Sequence, residues 1–198
     1  MTPILASASA ARRAMLTAAG VDVETIAAQV DEAEIKAALV QSGSGPRDIA
    51  TALAETKALK VSARHPGRMV IGADQILADD QGRLFDKPVD SNAAAAQLRD
   101  LAGRSHVLHS VVVIAESGRA VWRATARATM GMRPLSEAFI ADYLDREGDA
   151  VLASVGAYRI EGLGAQLFSR IEGDHFTILG LPLLPLLDYL RVRGVLPS

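Results

Sequence analysis

The chain has 198 residues, of which 49% are hydrophobic, and its 21 basic and 23 acidic residues give a formal net charge of −2. A chain of this size can bury the core of one domain, or of one domain with two lobes. The small negative charge argues against nucleic-acid binding, which normally requires a strong basic excess. Because the chain has no cysteine, disulfides, thiolate metal sites and cysteine nucleophiles are excluded.

Two segments bear on export and membrane insertion. Residues 1–5 lack the basic start and the long apolar stretch of a secretory signal. The most apolar stretch, residues 176–187, is shorter than the ~20 residues of a spanning helix and contains Gly180, Pro182 and Pro185. We expect it to form a buried strand, a turn and a C-terminal helix with Pro182 in its first turn. The resulting expectation is a cytoplasmic protein without membrane contact.

Taken in chain order, the apolar and polar patterns alternate between strand-like and helix-like segments. After a short apolar segment at 4–6, strands are predicted at 21–27, 69–72, 76–78, 107–115 and 120–129, and helices at 14–20, 31–40, 47–64, 93–101 and 136–146. Ser136 can cap the last of these helices and Gly148 can end it. The order is not a strict βαβ repeat, so it predicts a mixed α/β fold.

The segment from Ser7 to Arg13 has the composition of a phosphate site. Ser7 and Ser9 supply hydroxyls, and Arg12 and Arg13 supply guanidiniums. The start of the following helix adds free N–H groups and a dipole that favours negative charge. The alternative is a helix cap, because serine is a preferred capping residue and arginine a good helix former. The segment alone favours the two interpretations about equally.

Asp74 is the most informative of the other polar residues. It follows an apolar strand, where the loops of an α/β sheet build sites, and Gly72 allows a ligand to approach the backbone closely. The alternative is a turn residue that bonds its own backbone.

Four further charged residues give weaker signals. Asp31 and Glu32 interrupt apolar context, but they could equally be charges of a first helical turn. Lys57 and Lys87 could simply be solvated surface lysines. Together with Asp74, these residues supply cations for an anion and carboxylates for a divalent metal, which is what phosphoryl transfer needs. The Gly-x-x-x-x-Gly-Lys-Ser/Thr motif does not occur, so a P-loop enzyme is excluded.

Six short motifs occur in a fixed order along nearly the whole chain. They are Leu5-Ala6-Ser7-Ala8-Ser9 followed by Arg12-Arg13, then Val30-Asp31-Glu32, Lys57-Ala58, Ile71-Gly72-Ala73-Asp74, Lys87-Pro88 and Gly180-Leu181-Pro182-Leu183. This set resembles the Maf family of nucleoside triphosphate pyrophosphatases. The resemblance implies one domain over residues 1–198, with a mixed sheet and two lobes around a deep nucleotide-binding cleft. It also implies hydrolysis of a nucleoside triphosphate to the monophosphate and pyrophosphate with a divalent cation, Mg, Mn or Co.

The resemblance further implies roles for individual residues. Those that would bind the triphosphate are Ser7, Ser9, Arg12, Arg13, Lys57 and Lys87. Asp74 would be the general base or a metal-bound carboxylate that prepares the attacking water, and the sequence leaves both roles open. Asp31 or Glu32 would help to hold the metal, because hard divalent cations prefer oxygen ligands.

Three positions concern the choice of nucleotide. The branch of the family that acts on dTTP and UTP typically has Arg, Thr and Gln where this chain has Ala11, Gln75 and Glu161. The branch that acts on 7-methyl-GTP typically has Gln and Glu at the last two positions, so we expect Gln75 and Glu161 to bind the substrate. A carboxylate at 161 can accept from the N–H groups of a guanine edge. Ala11 departs from both branches, because it lacks the ring that could stack on a methylated purine. The alternative substrates are dTTP and UTP, and the alternative role for Glu161 is a solvated loop carboxylate.

The sequence is also compatible with two other functions. A nonhydrolytic nucleotide sensor that regulates cell division would keep Arg12 and Lys87 but would not need Asp74. An interaction module would use the apolar residues 176–187 as an interface, and a homodimer is a further alternative to a monomer.

Overall fold

A computed structural model describes residues 2–197 and gives a mixed α/β fold with one seven-stranded sheet. The strands are β1 (Ile4–Leu5), β2 (Glu24–Thr25), β3 (Val70–Asp79), β4 (Leu84–Phe85), β5 (Ser105–Glu116), β6 (Arg119–Met132) and β7 (Phe168–Glu172). The helices are α1 (Ala10–Ala18), α2 (Glu32–Gln41), α3 (Pro46–Ser62), α4 (Ser91–Leu101), α5 (Glu137–Glu147), α6 (His175–Ile178) and α7 (Leu183–Val192). Short 3-10 helices lie at Gly148–Ala153, Val155–Ala157 and Leu163–Leu167. The predicted fold class is confirmed.

The chain divides into two compact units. The first unit comprises Met1–Gln75, His109–Ala126 and His175–Ser198, and the second comprises Ile76–Leu108 and Arg127–Asp174. Strands β3, β5 and β6 contribute residues to both units. Among residues 2–197, no helix combines the length and the apolar character needed to cross a bilayer.

In the first unit, helices cover both faces of the sheet, whose strand order there is β2-β1-β3-β5-β6. Strand β1 lies parallel to β2 and to β3, with Ile4 opposite Val70 and Leu5 opposite Ile71. Because side chains alternate along a strand, Ile4 packs in a cluster with Val61 of α3, whereas Leu5 packs with residues of α1 and α7. Both faces of the parallel strands are therefore apolar and buried.

Helix α3 packs against β3 so closely that only glycine fits at position 72. A Cβ atom on Gly72 would lie 2.3 Å from the carbonyl oxygen of Ala54 and 2.7 Å from the Cβ of Ala58. The buried residues of α3 are Ile49, Ala50, Leu53, Ala54, Lys57, Ala58, Val61 and Ser62. Lys57 therefore lies on the face of the helix that contacts the sheet, rather than on its solvated side.

In the second unit, β4 pairs antiparallel with β3, and β7 pairs antiparallel with β6. Helix α5 begins after Ser136, whose side chain accepts from the backbone N–H of Phe139. It ends at Gly148, which has a φ of 58° that favours glycine. The cap and the end predicted for this helix are both confirmed. His106 and Tyr158 form a buried pair in this unit, with 2.8 Å between Nε2 and the phenolic oxygen.

Two strand predictions need correction. The segments 69–72 and 76–78 were expected to be separate strands with Asp74 after the first, but β3 runs without a break from Val70 to Asp79. Asp74 is consequently a residue within a strand, and both it and Gln75 have polar partners that let the strand continue through them. The strand expected at 21–27 is limited to Glu24–Thr25.

The apolar segment at 176–187 was assigned only partly correctly, since the predicted C-terminal helix is present as α7 but other details differ. It begins with the end of α6 rather than with a strand, and Pro182 is the residue before α7 rather than a member of its first turn. A short apolar run without periodicity does not distinguish a strand from a buried helix. Leu181, Leu183 and Leu186 are buried in the core of the first unit, so they are not available as the interface of an interaction module.

Candidate functional site

Arg12 completes the edge of β3 beyond the point where β1 ends. The backbone N–H of Ala6 donates to the carbonyl oxygen of Ile71 at 2.8 Å. In a parallel ladder the next acceptor on the same edge is two residues further along, at Ala73. Arg12 Nη1 donates to that carbonyl oxygen at 3.0 Å. The guanidinium therefore takes the position that a longer β1 would otherwise fill with a backbone donor.

Three protein oxygens fix the Arg12 side chain. Besides its contact with Ala73, Nε donates to the carbonyl oxygen of Gly180 at 2.8 Å, and Nη1 lies 3.4 Å from Ser7 Oγ. Burial lowers the pKa of the Arg12 guanidinium, and the negative charges of Asp74 and Glu32 oppose that shift. The guanidinium is thus a pre-positioned cation beside two carboxylates.

The two serines hold the loop that leads into α1. Ser9 is the N-cap residue of this helix, and its hydroxyl accepts from the backbone N–H of Arg12 at 3.4 Å. The backbone N–H of Ser9 donates to Ser7 Oγ at 3.2 Å. The capping interpretation of Ser9 is therefore confirmed, whereas phosphate binding by this loop stays a prediction. Arg13 is exposed.

Lys57 bridges two carboxylates. Its ammonium nitrogen lies 2.6 Å from Asp74 Oδ1 and 2.8 Å from Glu32 Oε2. The side chains of Lys57 and Asp74 are 9% and 7% exposed, whereas that of Glu32 is 53% exposed. The ammonium therefore holds the two carboxylates near each other and offsets part of their negative charge.

The buried position of Asp74 changes its acidity. Burial raises the pKa of the Asp74 carboxyl, while Lys57 and Arg12 lower it and Glu32 raises it, with a net rise. Removing an ion from water costs several kcal/mol even after relaxation, so a protein interior rarely holds such a carboxylate without partners. Buried ionisable groups with perturbed pKa values and specific charged neighbours are typical of functional sites.

Gln75 lies on the opposite face of β3 from Asp74. Its amide nitrogen Nε2 is 2.9 Å from Ser110 Oγ, 3.0 Å from the carbonyl oxygen of Thr177 and 3.1 Å from that of Ile178. Ser110 Oγ also donates to the carbonyl oxygen of Thr177 at 2.8 Å. The side chain expected to bind the substrate is thus hydrogen-bonded to the protein's own backbone.

Three further residues were expected at the site. Asp31 caps α2, with Oδ1 accepting from the backbone N–H of Glu34 at 3.0 Å. Lys87 and Glu161 belong to the second unit and are exposed. The Glu161 carboxylate forms an ion pair with Arg159 at 3.2 Å. The first unit therefore brings together Ser7, Ser9, Arg12, Lys57, Asp74 and Glu32.

The donor set fits a divalent cation that is held jointly with a ligand. Within residues 2–197, no group of three or more His, Asp or Glu side chains could hold a metal. Glu32 and Asp74 nevertheless offer two carboxylates that both contact the Lys57 ammonium. Mg²⁺ commonly binds to one or two carboxylates and completes its shell with water and phosphate oxygens. The residues that could hold such an ion are Glu32 and Asp74.

Of three further participants in this arrangement, Ser110 and Thr177 were not singled out from the sequence, and Gly180 was part of a motif but was assigned no role. Ser110 interrupts an apolar strand, which is the signal that could have marked it as a polar contact inside the sheet. Thr177 and Gly180 contribute backbone oxygens, for which side-chain patterns give no signal. The burial of Lys57 could have been predicted from helical spacing. Lys57 is four residues from Leu53 and four from Val61, and both of these lie on the buried face of α3.

Comparisons with known proteins agree with the ordered motifs. Residues 2–193 match the family described as "Maf-like protein". The nucleoside triphosphate pyrophosphatase of Hyphomonas neptunium is 54% identical over 98% of this chain and 97% of that protein. The nucleoside triphosphate pyrophosphatase of Sphingopyxis alaskensis is 52% identical over the full length of both chains.

A solved structure is similar at a much lower level. The nucleoside-triphosphatase, or dITP/XTP pyrophosphatase, of Mycobacterium abscessus matches with a TM-score of 0.36 and 20% identity, over 67% of this chain and 73% of that chain. A score this low supports no argument about the fold or the reaction. The family match and the identity over nearly the whole length are sufficient by themselves: the chain belongs to the Maf-like protein family.

Proposed function

We propose that the buried charged cluster of the first unit hydrolyses a nucleoside triphosphate to the monophosphate and pyrophosphate. The observation that carries the proposal is the pairing of a buried ammonium with a buried carboxylate, Lys57 with Asp74 at 2.6 Å, beside the fixed Arg12 guanidinium. Cations that neutralise phosphate oxygens, next to a carboxylate that can activate water, are the groups this reaction requires. The enzyme class is that of its relatives, so the protein is a hydrolase of the nucleoside triphosphate pyrophosphatase kind.

The phosphate-binding part consists of Arg12, Lys57 and the loop of Ser7 and Ser9. Two of the Arg12 nitrogens are already hydrogen-bonded to protein oxygens, so the guanidinium does not have to reorganise when a phosphate arrives. The hydroxyls and the N–H groups at the start of α1 add neutral donors for the same anion. Lys87 and Arg13 are proposed as further phosphate contacts, since each is an exposed cation.

Asp74 is proposed to orient the attacking water and to accept its proton. Water attacks the α-phosphorus, the bond between that phosphorus and the bridging oxygen breaks, and pyrophosphate leaves with the electron pair. A raised pKa makes the Asp74 carboxylate a better proton acceptor than an ordinary aspartate. Glu32 and Asp74 would hold a divalent cation together with the triphosphate, because both carboxylates lie beside Lys57 and supply the oxygen ligands that such a cation prefers. Such a cation, when bound, neutralises charge that develops on the phosphate oxygens.

The proposed substrate within this class is 7-methyl-GTP. The residue that supports it is Glu161, because a carboxylate can accept two N–H donors from a guanine edge, whereas the amide typical of the dTTP and UTP branch can also donate. Glu161 is exposed and its partner is Arg159, so its carboxylate can reach a ligand. Ala11 offers no ring for stacking, which predicts weaker binding of the methylated purine than an aromatic residue would give.

The test is a pyrophosphate-release screen with natural and modified nucleoside triphosphates, in Mg²⁺, Mn²⁺ or Co²⁺. We expect turnover that requires a divalent cation and that is fastest with 7-methyl-GTP. In Glu161→Gln the preference for 7-methyl-GTP over UTP should fall, while Asp149→Asn, another acidic position in the second unit, should leave it unchanged. Faster turnover of dTTP or UTP by the unaltered protein would overturn the substrate. Nucleotide binding without turnover of any nucleotide would favour a sensor instead.

A further inference from the structure

Gln75 is a neighbour of Asp74 in sequence, yet it contacts a different part of the first unit. Side chains alternate along a strand, so Gly72 and Asp74 face α3 whereas Ala73 and Gln75 face the side covered by α1 and α7. The amide of Gln75 meets Ser110 and the backbone at the end of α6 on that side. It is therefore not directed toward the Lys57 and Glu32 side of the sheet.

The partners of Gln75 belong to the turn 177–180, which also holds Arg12. Gln75 Nε2 donates to the carbonyl oxygens of Thr177 and Ile178, and Arg12 Nε donates to that of Gly180 at 2.8 Å. A Cβ atom on Gly180 would lie 3.3 Å from Arg12 Nη2 and 3.6 Å from Gln75 Oε1. Both side chains thus lie against the same glycine, which has a φ of 95°. Gln75 and Arg12 therefore both hold this turn through its backbone carbonyl oxygens.

Ser110 adds a further hydrogen bond between the sheet and the turn 177–180. Its hydroxyl accepts from Gln75 Nε2 and donates to the carbonyl oxygen of Thr177 at 2.8 Å. Ser110 and Thr177 are fully buried, so these polar groups have few alternatives to bonding one another. A buried network whose members are mutually satisfied is rigid, and loss of one donor leaves its acceptors unpaired.

We propose that Gln75 is a positioning residue that acts through the turn 177–180 to hold the Arg12 guanidinium in place for the triphosphate. This inference rests on the proposed function, since it assigns Arg12 to phosphate binding. It differs from the expectation that Gln75 contacts the base, because the amide donors of Gln75 are directed to backbone oxygens. The consequence is that Gln75 contributes to affinity for the phosphates of every nucleotide alike, and not to the choice among bases.

The experiment compares Gln75→Met and Ser110→Ala with the unaltered protein. Methionine keeps the length of the side chain and removes the donors, and Ser110→Ala loosens the same turn from a different strand. Ser62→Ala is the matched control, because Ser62 is also a fully buried serine of the first unit and its hydroxyl accepts from the backbone N–H of Gly118. The measurements are calorimetric binding of pyrophosphate, KM and kcat for 7-methyl-GTP and UTP, and hydrogen exchange of the amides at 177–181.

We expect pyrophosphate to bind about 10-fold more weakly in both variants, because a displaced charged donor loses much of its interaction. KM should rise for both nucleotides by the same factor, and amide exchange at 177–181 should become faster, while Ser62→Ala changes none of these. A changed ratio of kcat/KM between 7-methyl-GTP and UTP, with unchanged pyrophosphate binding, would overturn the inference. Unchanged binding and exchange in both variants would also overturn it. If the unaltered protein releases no pyrophosphate from any nucleotide, the proposed function fails, whereas the pyrophosphate and exchange measurements still report on the link between Gln75 and Arg12.

Discussion

Both compact units bury polar side chains, but they bury different kinds. In the first unit the buried Lys57 and Asp74 form an ion pair at 2.6 Å, with the Arg12 guanidinium close enough to affect the acidity of Asp74. In the second unit the buried polar pair is His106 and Tyr158, joined by a 2.8 Å hydrogen bond between Nε2 and the phenolic oxygen. Burial keeps this second pair neutral at neutral pH, since it lowers the pKa of His106 to about 4 and raises that of Tyr158.

The difference between a buried ion pair and a buried neutral pair indicates which unit carries out the reaction. A buried ion pair is often no more stable than apolar residues of the same volume, so stability alone does not account for one. A neutral histidine and a neutral tyrosine lose much less hydration free energy on burial than ions do. Packing and one hydrogen bond can account for their burial. We therefore expect changes to the buried charged residues of the first unit to lower turnover, and changes to His106 and Tyr158 to affect stability while leaving turnover unchanged.

The largest expected effect follows from Asp74→Asn. The amide cannot accept a proton and is a poor metal ligand, so kcat should fall by about 10³-fold. Nucleotide binding should persist, because Arg12 and Lys57 remain. Asp48→Asn, at an exposed position on α3, is the control for loss of one negative charge. Pyrophosphate release under single-turnover conditions measures the effect, and turnover near that of the unaltered protein would remove Asp74 from the mechanism.

Lys57→Met should reduce both stability and turnover. It leaves the Asp74 carboxylate buried without its ammonium partner, which should cost about 3 kcal/mol of unfolding free energy. Loss of a pre-positioned cation should lower kcat/KM by about 10²-fold. Lys57→Arg should not restore turnover, because a planar guanidinium cannot occupy the same point between two carboxylates.

The control for Lys57→Met is Lys60→Met on the same helix, since the Lys60 ammonium bonds a backbone oxygen rather than a carboxylate. Urea unfolding and pyrophosphate release measure the two effects. Equal results for the two methionine variants would show that the buried position of Lys57 has no special role.

His106 should make the stability depend on pH in acid. Its pKa is lowered from 6.5 to about 4 in the folded state, so between these values the unfolded chain binds a proton that the folded chain does not. The unfolding free energy should therefore fall as the pH drops through this window, by up to about 3 kcal/mol. In His106→Gln this part of the pH dependence should disappear, while turnover at neutral pH stays the same.

Urea unfolding at several pH values between about 7 and 4 measures this dependence, because that range spans the ordinary and the lowered pKa of His106. His175→Gln, at an exposed position, is the control for loss of a histidine. An unaltered slope in His106→Gln would mean that His106 does not titrate in this way.

Tyr158→Phe should have the smallest effect. It removes the hydroxyl that bonds His106 Nε2 and keeps the ring, which packs edge-on against Phe168 with 4.8 Å between the ring centres. We expect a loss of about 1 kcal/mol of unfolding free energy and no change in kcat. A large loss of turnover with intact stability would place chemistry in the second unit and break the comparison.

Much of the fold was readable from local sequence patterns. Helix α3 was predicted at 47–64 and lies at Pro46–Ser62, and α5 was predicted with both its cap and its end. Such helices carry their signals within a few residues, as apolar spacing, capping side chains and glycines. Strands β5 and β6 were likewise predicted, at 107–115 and 120–129, from the β-rich composition of these two runs.

The errors arose where distant parts of the chain decide the structure. Asp74 and Gln75 looked like a break in a strand because their partners, Lys57 on one face and the turn after Thr177 on the other, are far away in sequence. The pairing of Lys57 with Asp74 and Glu32 could not be derived from their spacing in the sequence. All three were candidate site residues only because they belong to the six ordered motifs. The contact between Arg12 and the edge of β3 was not predictable, because it depends on β1 ending before its neighbour.

The most direct test of the central claim is the identity of the products. The unaltered protein should be incubated with a nucleoside triphosphate and a divalent cation in ¹⁸O-labelled water, and the products followed by ³¹P NMR. We expect equal amounts of nucleoside monophosphate and pyrophosphate, with the label in the monophosphate, because water attacks the α-phosphorus. Release of orthophosphate with the nucleoside diphosphate, or label in the pyrophosphate, would contradict it.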